Sequence, residues 1–208
     1  MILYIIGAGG HGKVVAEVAT LMGIFEEIFF LDDKKKEGSV ILNYKVFKNV
    51  DFEYIKSIVN KNNYFFVAIG DCLKRKELQK KLLQIDANIS TLVHPNSSIS
   101  RFSIISPGSI ICAGATLGPD SHIGQGAIVN HSSTIDHDCK IGQFTHICPH
   151  SSVSGGVEIG DLSVLGTGSR VIQNISVGEN CNIGAGAVVL KDIPNNKKAF
   201  GIPAKIIS

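Results

Sequence analysis

The run Ile135-Asp136-His137-Asp138-Cys139 sets a histidine between two acids. Imidazole exchanges a proton near neutral pH, and an adjacent carboxylate favours its protonated form and fixes its tautomer. Such a pair suits a general base that strips a proton from an amine or hydroxyl. Spacing alone leaves a second reading open, an exposed histidine in a turn. Seven histidines occur, five of them between 122 and 150 (His122, His131, His137, His146 and His150), with His11 and His94 outside. The five cysteines, Cys72, Cys112, Cys139, Cys148 and Cys181, contain no CxxC and match no zinc spacing, so they read as small, buried, reduced thiols that bind no metal. A second run with chemical potential is Gly7-Ala8-Gly9-Gly10-His11-Gly12, a G-x-G-x-x-G pattern, followed about 20 residues on by Asp32-Asp33. Helix N-terminal amides beside such a loop favour phosphate, and the acids suit a ribose hydroxyl. The same glycines would equally serve a tight strand-to-helix turn.

The elements around the glycine run fit a parallel α/β unit. Ile2–Ile6 is a continuous apolar strand, as expected of one buried on both faces. A helix over Lys13–Met22 follows, then strands at Ile28–Leu31 and Tyr64–Ile69, a helix carrying Lys74, Arg75 and Lys76, and a lead-out at Ile89–Val93. Residues 1–90 suffice for one mononucleotide-binding half of a Rossmann fold, so a nucleotide-linked sugar is preferred over NAD.

The histidine-rich segment lies in a different architecture. From Val93 to Val189, every sixth residue is Ile, Leu or Val, seventeen positions without a break. Four residues after the aliphatic a small side chain recurs (Ser109, Ala115, Ser121, Ala127, Ser133), broken by Val157 and Ile175, and glycine recurs directly after the aliphatic (Gly118, Gly124, Gly142, Gly160). In that last slot Asn130 and Asp136 are expected to serve as glycine does, by tolerating turn conformations. A period of six cannot be an α-helix. It describes short strands joined by sharp corners, three to a coil of eighteen residues, with successive coils stacked as parallel strands. Residues 91–208 are therefore expected to form a left-handed parallel β-helix of hexapeptide repeats with a C-terminal tail. Residues 1–90 carry 24 of the chain's 38 charged side chains and the later stretch carries 15 of its 22 glycines, which places a boundary near Thr91–His94. No two of the five clustered histidines are 18 or 36 apart, so a coil offers no vertical metal-binding pair. A zinc hydratase would need ligands from a neighbouring subunit.

A net charge of +2 without a basic block argues against nucleic acid, and no run approaches the length of a membrane span. A cytoplasmic protein is expected.

The glycine loop, the Asp32-Asp33 pair and the 135–139 segment within hexapeptide repeats together resemble the bacterial nucleotide-sugar acetyltransferases of the bacillosamine and perosamine type, with the sialic acid O-acetyltransferase-like proteins. The resemblance covers nearly the whole chain. It implies His137 as general base with Asp138 raising its basicity. It implies acetyl-CoA contacts at His146, Thr167, Ala185 and Lys205, the last within Gly201-Ile202-Pro203-Ala204-Lys205. It implies nucleotide-sugar contacts at Gly9, Gly10, His11, Asp32, Asp33 and Gly70, and a homotrimer with sites between subunits. The activity implied is acetyl-CoA-dependent N-acetylation of a UDP-linked 4-amino-4,6-dideoxy sugar, with sialic acid O-acetylation as the alternative. His131 and His150 match no role and read as surface residues. A non-catalytic sugar-binding scaffold is the reading from another class.

Overall fold

The computed structural model describes residues 1–207, in two compact units, Met1–Pro95 and a second from Asn96 onward.

The first unit is a six-stranded sheet with helices. Its elements are β1 (Ile2–Ile6), α1 (Gly10–Met22), β2 (Glu27–Leu31), β3 (Val40–Ile41), β4 (Tyr44–Lys48), α2 (Phe52–Ile58), β5 (Asn63–Val67), α3 (Cys72–Gln84) and β6 (Asn88–Ile89). The sheet order is β3-β4-β2-β1-β5-β6, parallel except for the β3–β4 hairpin. Leu3, Tyr4, Ile5 and Ile6 are all buried, which explains the unbroken apolar run of β1. Helix α1 starts at Gly10, three residues earlier than its apolar pattern suggests, because the glycines at its start carry no apolar signal. The hairpin and α2 leave no periodic signature in the sequence. The Asp51 side chain accepts the Glu53 and Tyr54 amides to start α2, and Asp71 accepts the Lys74 amide to start α3. Leu92–Val93 packs against α1, and the Val93 amide donates to Met22 Sδ at 3.4 Å.

The second unit is a left-handed β-helix. Its two-residue strands pair in parallel with a register of eighteen: Ile110↔Ile128, Thr116↔Thr134, His122↔Lys140. Three flat faces result. Face one holds Ile110–Ile111, Ile128–Val129, His146–Ile147, Val164–Leu165 and Asn182–Ile183, extended by Lys198–Phe200 and the antiparallel Lys205–Ile206. Face two runs from Ser98–Ile99 to Val188–Val189, and face three from Ile104–Ile105 to Ser176–Val177. The sixth-residue aliphatics point inward and are buried from Ile111 to Val189. Ile99 and Ile105, in the first coil, are only half-buried.

The small side chains occupy the corners inside the prism. Their hydroxyls bond backbone carbonyls there: Ser109 Oγ donates to Gly124 O at 2.8 Å and Ser163 Oγ to Gly178 O at 2.7 Å. Buried polar groups are thereby satisfied. The expectation for the glycine slot needs correcting. Left-handed backbone does not fall directly after the aliphatic. It falls two residues later, at Gly108, Gly114, Asp120, Gly126, Ser132, Asp138, Phe144, His150 and onward every six residues. The glycines directly after the aliphatic answer a different demand. A Cβ on Gly142 would lie 2.5 Å from Asp161 N and 2.6 Å from Gly160 C, where the next coil's backbone passes.

Candidate active site

Two groups of residues carry chemistry, one in each unit.

In the first unit, β1, β2 and β5 end at a common cavity of about 320 Å³. It lies outside the carboxyl ends of parallel strands, beside the point where the connections from β1 reverse direction, the usual ligand position in such sheets. All six residues expected to meet a nucleotide sugar line it: Gly9, Gly10, His11, Asp32, Asp33 and Gly70. Lys34 and Lys74, which were not expected at the site, line it too. The glycines divide the work. Gly7 takes a positive φ of 107°. Gly12 lies so close to Gly7 that a Cβ would meet its carbonyl carbon at 3.0 Å. Gly9 and Gly10 have nothing within 4 Å of a Cβ, so their backbone is open to a ligand. The N-cap of α1 is Gly9, with no side chain to accept the first-turn amides. Those amides and the helix dipole favour an anion.

The acidic pair is partly committed to the backbone. Asp32 Oδ2 accepts the Ala8 amide at 2.7 Å and Oδ1 accepts the Lys34 amide at 2.8 Å, which ties the glycine loop to the end of β2. Asp33 Oδ1 accepts the Val50 amide at 2.8 Å.

In the second unit, His137 and Asp138 sit on the corner between faces two and three. His137 Nδ1 lies 2.7 Å from Asp138 Oδ2, and the Asp136 carboxylate accepts the His137 amide at 2.8 Å. Asp138 has the left-handed φ of 59° that the corner requires, and this swings its carboxylate to the imidazole. The dyad is exposed, with side chains 56% and 64% accessible. The hydrogen bond to Asp138, then the charge of Asp136, raises the His137 pKa above the ordinary imidazole value. With Nδ1–H held by the carboxylate, Nε2 is left as the basic nitrogen.

Directly stacked on His137 is Gly155, a residue the sequence reading missed. A Cβ there would lie 2.5 Å from His137 Nε2 and 3.0 Å from Nδ1, so the ring lies against bare backbone. The available signal was the spacing 137 + 18, which places glycine under the histidine.

The residues expected to meet acetyl-CoA lie elsewhere on the prism. His146 is on face one, Thr167 and Ala185 are on the corner between faces one and two, and Lys205 is in the strand that extends face one. They follow one side of the prism, while His137 and Asp138 occupy a different corner. A single chain does not bring the two sets together. Asn130 joins the first set: its Nδ2 is 3.1 Å from His146 Nε2 and its Oδ1 is 2.8 Å from His131 Nδ1. His131 is thus half-buried and bonded, with a more definite place than the surface role expected of it. Asn130 follows Val129 directly, in a slot that Cys112 and Cys148 fill in the neighbouring coils and Gly166 in the next, so nothing in the spacing marked it.

Among the described residues, no group of three His, Cys, Asp or Glu side chains is placed to hold a metal ion, and no helix is long and apolar enough to cross a membrane. The cysteines are free thiols.

Residues 2–82 match the PglD N-terminal domain family. Over 109 residues, 52% of this chain, the sequence is 32% identical to UDP-N-acetylbacillosamine N-acetyltransferase of Bacillus subtilis (strain 168). The chain spans about half the length, 50%, of that curated relative. Likeness to solved structures extends over the whole chain. The acetyltransferase domain of PglB from Neisseria gonorrhoeae FA1090, in complex with acetyl coenzyme A, is 37% identical with a TM-score of 0.94, covering 99% of this chain and 98% of that one. A mutant perosamine N-acetyltransferase from Caulobacter crescentus, in complex with CoA and GDP-perosamine, is 32% identical with a TM-score of 0.94, covering 100% and 97%. With both units matched in one continuous likeness, the chain belongs to the bacterial nucleotide-sugar acetyltransferase family.

Proposed function

We propose that the protein transfers the acetyl group of acetyl-CoA to the 4-amino group of a UDP-linked 4-amino-4,6-dideoxy sugar in the cytoplasm. One observation carries the reading: a single chain joins a phosphate-favouring cavity lined by Gly9, Gly10 and His11 to a coil bearing a carboxylate-oriented imidazole. The complexes formed by its relatives, with acetyl coenzyme A and with CoA plus GDP-perosamine, support both substrate classes.

His137 and Asp138 are the proposed catalytic pair. The sugar amine attacks the thioester carbonyl carbon and passes its proton to His137 Nε2. The Asp138 carboxylate stabilises the imidazolium that forms. Collapse of the tetrahedral adduct breaks the C–S bond, and the imidazolium returns the proton to the departing CoA thiolate. His146, Thr167, Ala185 and Lys205 are the proposed acetyl-CoA side. Their separation from the dyad within one prism supports a three-fold assembly in which one subunit's dyad faces another's acetyl-CoA side. O-acetylation of free sialic acid would leave the nucleotide cavity without a ligand, so N-acetylation of a nucleotide sugar is the preferred reading.

The test is a panel of UDP-, GDP- and dTDP-linked 4-amino sugars, with sialic acid, scored by acetyl-CoA-dependent thiol release. A UDP-linked amino sugar is expected to give the highest kcat/KM, and His137→Ala is expected to lower it roughly 10²–10⁴-fold. Turnover on sialic acid alone would overturn the proposal.

A further inference from the structure

Arg75 is a buried cation that the acetyl-transfer chemistry leaves unexplained. It lies on the buried side of α3 and is 0% exposed. Its Nη1 donates to Ile69 O at 2.8 Å and to Gly70 O at 2.9 Å, and its Nη2 lies 3.7 Å from Cys72 Sγ. Burial pulls its pKa down, while Cys72 and Asp71 pull it back up. An arginine guanidinium carries its charge throughout in a protein. An uncharged side chain of similar volume would fill the same space without desolvating a charge, so packing alone does not account for an arginine.

The two carbonyls it holds belong to the cavity wall. Ile69 and Gly70 line the same cavity as Gly9, Gly10 and His11. A carbonyl oxygen turned towards a phosphate would repel it; these two are engaged by a cation. In a low-dielectric interior, a positive charge acts further than it would in water.

We propose that Arg75 is a positioning residue for the anionic part of the nucleotide substrate: it fixes the Ile69–Gly70 wall and sets a positive charge one peptide behind it, so that the cavity prefers a nucleoside diphosphate to an uncharged nucleoside. This rests on the nucleotide-sugar reading of the cavity. Arg75 touches no reacting atom, and its effect falls on nucleotide binding.

The experiment is calorimetric titration of the full chain with UDP, with uridine and, as a control on the other unit, with CoA. The variants are Arg75→Gln, which keeps donors for a carbonyl and loses the charge, and Arg75→Lys, which keeps the charge. The expected result for Arg75→Gln is a loss of UDP affinity of about tenfold or more, the scale of a Coulomb attraction acting through the wall rather than by contact, with uridine changed far less and CoA unchanged. Arg75→Lys is expected to keep most of the preference for UDP over uridine. Equal losses of UDP and uridine in Arg75→Gln would overturn the inference, leaving Arg75 a prop of the fold. If Arg75→Gln does not fold, Arg75→Lys decides, and loss of its UDP preference overturns the inference. Wild-type protein that binds CoA but no nucleoside diphosphate would instead bring down the nucleotide reading of the cavity.

Discussion

His137 gains its proposed role from three neighbours, each acting on a different property of the ring. Asp138 fixes the tautomer and is the largest cause of the raised pKa; Asp136 adds charge and anchors the backbone; Gly155 leaves space for the ring. A base works only when deprotonated, so a raised pKa means that kcat/KM is lost on acidification at a higher pH than for ordinary imidazole. In Asp138→Asn the main cause of that rise is gone. The acid limb of the pH profile is expected to move to lower pH, while the plateau falls within the roughly 10²–10⁴-fold that a general base contributes. A limb that stays in place would show that another group titrates there. Gly155→Ala tests the space beneath the ring. The added methyl would overlap the imidazole, and a displacement of about 1 Å is expected to cost about 10²-fold in kcat with circular dichroism unchanged. Wild-type turnover in that variant would mean that the ring has room to move without consequence.

At the scale of the elements, the β-helix uses glycine in two unlike ways, and substitutions separate them. In Gly142→Ala the new methyl would meet Asp161 and Gly160 backbone, which cannot retreat without parting two coils. A destabilisation of roughly 1–3 kcal/mol is expected. Gly168 has a φ of 70° and nothing within 4 Å of a Cβ, and the same slot holds Asn174 and Asn180 at the next two corners. Gly168→Asn is expected to change stability by less than about 0.5 kcal/mol. Scanning calorimetry would compare them, and equal melting temperatures would refute the distinction. This difference was hidden in the sequence because both slots are simply rich in glycine and small polar residues. The aliphatic every sixth position was legible because one inward side chain per strand is a strict steric demand, repeated coil after coil. Strands β2 and β5 were legible for a similar reason, apolar runs that stop before the cavity residues Asp32 and Gly70. The β3–β4 hairpin and α2 were not, since short half-exposed elements bury too little to leave a pattern. Within the site, His137 and Asp138 stood out as adjacent in sequence. Asn130, Gly155 and Arg75 did not, because each acts on a residue or wall that only the fold brings beside it.

On the scale of the whole molecule, the arrangement of the two residue sets makes a prediction that no single substitution can test. The dyad lies on the corner between faces two and three, and the proposed acetyl-CoA residues lie along face one and its corner with face two. If each site combines the dyad of one subunit with the acetyl-CoA side of the next, two inactive variants should rescue one another. His137→Ala keeps an intact acetyl-CoA side, and His146→Ala keeps an intact dyad. When equal amounts are unfolded and refolded together, three-quarters of random trimers are mixed, and each mixed trimer has one interface of three with both halves intact. About a quarter of wild-type activity is therefore expected, although each variant refolded alone stays near its own low rate. If each subunit built its site alone, mixing would give only the average of the two variants. Light scattering on the same samples should give three times the mass of one chain at micromolar concentration. A monomer that retains full turnover would remove the shared-site arrangement altogether.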